Sequence, residues 1–120
     1  MIRPVRAMLK LPGEPVKEIE TDTGLHTLQQ QVAGLIAMPW ALDLTDEHQV
    51  QMVVNDDGLA LRLAPCLRID YGLDGMQTIV GPVIFLGTSF EDDETGDHGT
   101  HPLTDAQAAA VRVFCERWEV

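Results

Sequence analysis

The sequence predicts an α+β fold, a small, mainly antiparallel sheet of about five strands with one or two helices packed on one face. Three observations carry that expectation. Residues 50–63, VQMVVNDDGLALRL, place two alternating apolar runs on either side of a turn. Residues 78–87, TIVGPVIFLG, are the most apolar run in the chain. Residues 104–107, Thr-Asp-Ala-Gln, make a capping box that opens a helix. At 120 residues and 45% hydrophobic content, the chain is expected to form a single domain over residues 1–120, with a real core.

Taken in order, Val5 to Leu11 alternates and reads as a first strand. Pro12-Gly13-Glu14-Pro15 is a turn, and Val16 to Glu20 reads as the antiparallel partner, with Pro15 at a strand start where its missing N–H is not needed. Thr21-Asp22-Thr23 offers an N-cap. Leu25, Leu28 and Val32 then give one apolar stripe, and Gly34 is a natural C′ residue, so a helix of about three turns is expected. Leu35 to Met38 is a short apolar run that Pro39 ends or moves to an edge, and Trp40 is expected at the core margin. Asp43 to His48 is a polar connection.

The central stretch reads as a β-hairpin. Val50, Met52 and Val54 share one face, Leu59, Leu61 and Leu63 return, and Asp57-Gly58 supplies the turn chemistry. Pro65 closes the second strand, Leu67 and Ile69 continue as a short apolar turn, and Leu73-Asp74-Gly75 turns again. Thr78 to Gly87 is expected as one buried strand with a bulge at Gly81-Pro82. Ser89 to His101 is an acid-dense loop. The final helix takes its apolar side from Ala110, Val111, Phe114 and Trp118.

Charge is the strongest global signal, with nineteen acids against eight bases for a formal net charge of −11. From Glu18 to Leu61, and again from Ile69 to Val111, there is no Lys or Arg, while each stretch holds eight acids. Such a surface repels nucleic acid and anionic membrane, so direct binding to either is not expected. No apolar run approaches the length of a membrane span, and the basic start lacks a signal-peptide core, so a cytoplasmic location is expected. Cys66 and Cys115 stand far apart without ligand spacing and read as reduced thiols.

Candidate chemistry is thin. His98-Gly99-Thr100-His101 beside Asp92, Asp93 and Asp97 has metal-ligand residue types, but in a glycine loop rather than on a rigid face. An EF-hand fails because Pro102 stands where the bidentate Glu is required. Cys66, Cys115, His26 and His48 supply nucleophile and base types without a local signature. No enzyme, metal or cofactor is therefore expected. The candidate binding residues are polar and charged groups outside these motifs. Asn55, Asp56 and Asp57 form a polar corner. Arg62 and Arg68, with Arg6 and Lys10, are bases that an anion would need. Glu91, Asp92, Asp93 and Glu94 are an acidic run.

The segments LQQQVAGLI, VVNDDGLALRLAP, YG, IVGPVIFLG and PLTDAQ, in this order and spacing, resemble the domain of unknown function numbered 3846. The resemblance runs from about Ile2 to Gln107. It implies a small accessory protein of the kind met in phages and in bacterial genomes carrying mobile elements, and it implies no activity. The chain departs from the family at Cys66-Leu67-Arg68, where a polar Asn usually follows the proline. Two functions are expected to compete. One is an acidic module that occupies a basic site on a protein partner, as a nucleic-acid mimic would. The other is a binder of a small anionic metabolite or nucleotide, with its pocket at a subunit interface. An open sheet edge is expected to make the protein a homodimer.

Overall fold

The computed structural model describes residues 5–21, 30–32, 34, 36–37, 41–42, 44, 49–56, 62–70, 76–92 and 98–119. Nine strands and one long helix are defined among them. Strands β1 (Val5–Lys10), β2 (Lys17–Thr21), β3 (Ile36–Ala37), β4 (Ala41–Leu42), β5 (Val50–Asn55), β8 (Val83–Asp92) and β9 (His98–His101) build one sheet. Strands β6 (Pro65–Asp70) and β7 (Met76–Val80) build a second, two-stranded one. Helix α1 spans Asp105–Trp118. Every ladder is antiparallel, so the α+β class holds, with more strands than the sequence suggested.

The first hairpin follows from local chemistry. Pro12 fixes φ at the first corner, Gly13 takes φ 77° at the second, and Glu14 N–H donates to the Leu11 carbonyl at 3.1 Å. The register then sets Leu9 opposite Lys17 and Val5 opposite Thr21.

The long β8 organises the main sheet, in the order β2-β1-β8-β5-β3, with β4 also on β5 and β9 also on β8. Here the chain departs from the expected central hairpin. β5 pairs with β8 on one side and with the short β3 and β4 on the other. Of the expected return strand, Leu59 and Leu61 lie outside the described residues, and Leu63 and Ala64 belong to no strand. Arg62 takes φ 58°, a left-handed conformation that no strand continues through. Pro65 opens β6 rather than closing a strand, and Leu67 and Ile69 are buried strand residues, not a turn.

The expected single strand over residues 78–87 is two strands in different sheets. Gly81 has φ 80° and its N–H donates to the Ala64 carbonyl at 2.8 Å. A Cβ there would sit 2.6 Å from Leu63 Cδ1. Gly81-Pro82 is thus the corner at which the chain leaves the small sheet and enters the large one. The expected acidic loop is likewise partly strand, since β8 runs to Asp92 and β9 returns beside it, while residues 93–97 lie outside the described residues.

Both faces of the main sheet are covered. Met8, Val50, Met52, Val54, Val83 and Phe85 pack on one face with the β6–β7 hairpin and α1. Ala7, Leu9, Val53, Ile84 and Leu86 face the other way, where Val32 joins them. Of the first expected helix, residues 30–32 are helical and residues 22–29 lie outside the described residues. Val32 therefore places that segment opposite α1, not on the same face. Trp40, the 45–48 stretch of the polar connection and the 73–75 turn also lie outside the described residues.

Helix α1 starts as its sequence dictates. Thr104 Oγ1 accepts from Gln107 N–H and Gln107 Oε1 accepts from Thr104 N–H, each at 3.1 Å. Arg6 ties its first turn to the sheet, donating to Asp105 at 2.6 Å and to Glu18 at 2.5 Å. Ala108, Val111 and Cys115 are its fully buried apolar side. Phe114 and Trp118 are only partly buried beside them.

Candidate functional site

That half-burial leaves an apolar groove along the outer flank of α1. It encloses about 340 Å³ and is lined by Leu44, Ala110, Val113, Phe114, Arg117 and Trp118. Helical spacing explains the lining: residues 110, 113, 114, 117 and 118 fall at i, i+3, i+4, i+7 and i+8, one continuous stripe next to the buried one. Leu44, two residues past β4, forms the facing wall. Phe114 belongs to both core and groove, because its ring meets Phe85 edge-on at 6.1 Å and 74°. The Arg117 guanidinium lies 4.8 Å from the Trp118 ring centroid and lends a cation–π contact to the rim. Val113 is 65% exposed, the one large apolar side chain so exposed among the described residues. Sequence reasoning assigned Phe114 and Trp118 to the helix's core side and did not single out Val113.

The residues expected to bind are not gathered at one place. Asn55 is buried, and its amide Nδ2 donates to the Val32 carbonyl at 2.9 Å, joining β5 to the segment on the opposite face from α1. Asp56 is exposed, and Asp57 lies outside the described residues. Arg62 and Arg68 are exposed, and neither lines the groove. Arg6 is taken up by its two carboxylates, and Lys10 is buried. Glu91 and Asp92 belong to β8, whereas Asp93 and Glu94 lie outside the described residues.

The model of the family described as Domain of unknown function (DUF3846) matches residues 5–114. The chain belongs to this family. No curated protein and no solved structure matches it. For this DUF3846 chain the matched stretch runs from the first residue of β1 to Phe114, so it includes most of α1, with Arg117 and Trp118 of the groove just past its end.

The thiols of this DUF3846 protein sit where nucleophiles would not. Cys66 and Cys115 are both buried and unbridged. Burial pushes the Cys66 thiol up to about 11. Burial, then Cys66 and the nearby Glu119 and Glu116, push Cys115 up to about 12, against a smaller opposing effect of Lys10. A reactive cysteine needs the opposite shift. His26 and His48 lie outside the described residues, and no group of three metal-ligating side chains occurs among the described ones. No helix among them is long and apolar enough to cross a membrane.

The raised thiols have a consequence for stability. Above the ordinary thiol value of 9.0 the unfolded chain loses these protons while the folded chain keeps them. Their stabilising contribution is therefore whole below pH 9 and declines as pH rises toward 11 and 12. Urea titrations from pH 8 to 11 should show the midpoint falling. A Cys66→Ala/Cys115→Ala variant should show a shallower fall, and an identical slope would remove the thiols as its cause.

Proposed function

We propose that this protein is a non-enzymatic, acidic protein-interaction module, a cytoplasmic accessory protein of phage or mobile-element type. Its partner is a basic protein that seats an apolar side chain in the α1 groove. The observation that carries this reading is the exposed Val113 in a groove lined by Phe114 and Trp118, on a chain with net charge −11. Apolar surface left open beside a polar rim is characteristic of protein-binding patches. Acid excess selects a basic partner and speeds its encounter. The run Glu91 to Glu94 supplies carboxylates that imitate a nucleic-acid backbone toward such a partner.

The two parts of the reading separate in one experiment. The protein, a Val113→Asp variant and a variant neutralised at Glu91, Asp92, Asp93 and Glu94 are used to capture partners at low and high salt. A partner held by the groove is lost with Val113→Asp at both salts. A partner steered by the acidic run is weakened by neutralisation at low salt only. Equal capture by all three proteins rejects the proposal.

Self-association belongs to the same reading, through the β3 side of the sheet. β2 forms the other edge, and antiparallel pairing of two β2 strands about Ile19 would set Glu18 against Glu20 of the second copy, a like-charge contact. The short β3 carries no such charge, so a dimer is expected there. Sedimentation at increasing concentration should show it, and a monomer throughout would end the idea.

A further inference from the structure

Lys10 is the least expected residue in the core. Its residue is 1% exposed, and it is among the largest fully buried side chains of the described residues. Its ammonium donates to the Leu11 carbonyl at 3.0 Å, and among the described residues no carboxylate stands within ion-pair distance of it. A buried ammonium with N–H donors to spare is costly, so such a group is normally paired.

Its position gives the spare charge a direction. Lys10 shares the sheet face of Met8, toward α1. The hairpin pairs its neighbour Leu9 with Lys17, the residue after Val16. Cys66 Sγ donates to the Lys10 carbonyl at 3.4 Å, and the next residue, Leu67, bridges to Glu119. Val16 and Cys115 are in turn walls of a second cavity, about 280 Å³, completed by Pro15, Arg112, Glu116 and Glu119. Lys10 thus lies in the buried layer beside this cavity without lining it. Arg112 stands in it, its guanidinium donating to the Val16 carbonyl at 3.5 Å as its one contact among the described residues.

The charges around this space are of two signs. Arg112, with Lys10 in the buried layer beside the cavity, is positive. Glu116 and Glu119, at the end of α1 where the helix dipole is negative, are not. A simple anion would meet the two carboxylates, and a simple cation would meet the two bases. We propose that the cavity between the β1–β2 turn and the last turns of α1 is a binding site for a small zwitterion of the α-amino-acid type. Its carboxylate lies on Arg112 under the field of Lys10, and its ammonium lies on Glu116 and Glu119. A charge in the buried layer beside the ligand still acts strongly, because the intervening medium is the apolar core. The site is independent of the outer groove and of any protein docked there.

The test is calorimetric titration and thermal shift of the full chain with the common amino acids, each up to roughly 10 mM, where a millimolar site is filled. Matched carboxylates, matched alkylamines and inorganic phosphate serve as controls. One or a few amino acids should bind and raise the melting temperature, while the singly charged controls should not. Arg112→Met and Glu116→Gln, both exposed on the helix, should each weaken binding about tenfold or more without unfolding the protein. Lys10→Met should weaken it too, in a protein that remains folded. Binding of phosphate or carboxylates as tight as that of any amino acid, or no binding by any amino acid, overturns the proposal. So does binding that survives Arg112→Met unchanged.

Discussion

Replacing Lys10 by Met raises the stability of the unliganded protein, by about 1–4 kcal/mol. Met has nearly the same length as Lys and fills the same buried position, so no large cavity opens. What is lost is one hydrogen bond to the Leu11 carbonyl. What is gained is release from burying an ammonium that has no carboxylate partner among the described residues. A neutral hydrogen bond contributes about 1 kcal/mol net, and the desolvation of a charge costs several times that, so the second effect wins. Lys10→Ala does not test this, because truncation adds a cavity cost of the opposite sign. Urea unfolding of the Met variant should move the midpoint up with an unchanged slope. A lower midpoint would mean that the ammonium has a stabilising partner, and would remove the argument that it is held for a ligand.

Lys10 also marks where sequence reasoning stops. Features that depend on neighbours a few residues apart were legible. The Pro12-Gly13 turn, strand β1 and the Thr104–Gln107 capping box all form where the residues predict. Features that depend on a distant partner were not. Asp57-Gly58 reads as a hairpin turn on local chemistry, yet β5 takes β8 as its neighbour, about thirty residues away along the chain. Local turn chemistry does not choose that partner; burial of β5 between two strands does. The same limit hid the corner at Gly81-Pro82. A continuous apolar run reads alike whether one strand or two sheets bury it. At the candidate sites, the helical stripe was visible in the spacing of Val111, Phe114 and Trp118. How far the second layer covers that stripe was not, so the exposure of Val113 came only from the fold. A lysine within an alternating strand reads as a solvent-facing position, because lysines are almost never fully buried.

Phe85→Ala should cost about 3–5 kcal/mol, the largest loss expected from a single substitution here. The residue is fully buried in the central strand, opposite Met8 on β1 and Met52 on β5. Truncation therefore opens a cavity between two ladders that are fixed by backbone hydrogen bonds and relax little. A domain of this size has a total stability of about 5–15 kcal/mol, so the variant should be marginal and its melting transition early. Part of the loss belongs to the edge-on contact with Phe114, the ring shared by the core and the α1 groove. Such contacts contribute about 0.5–1.5 kcal/mol beyond area burial. A double-mutant cycle of Phe85→Leu and Phe114→Leu should recover a coupling in that range. The same cycle connects stability to docking. If Phe85 holds Phe114 in place as the groove floor, Phe85→Leu should weaken capture of a groove-bound partner although it touches no partner itself. Additive stability effects with undiminished capture would show that the groove keeps its shape without the Phe85 ring.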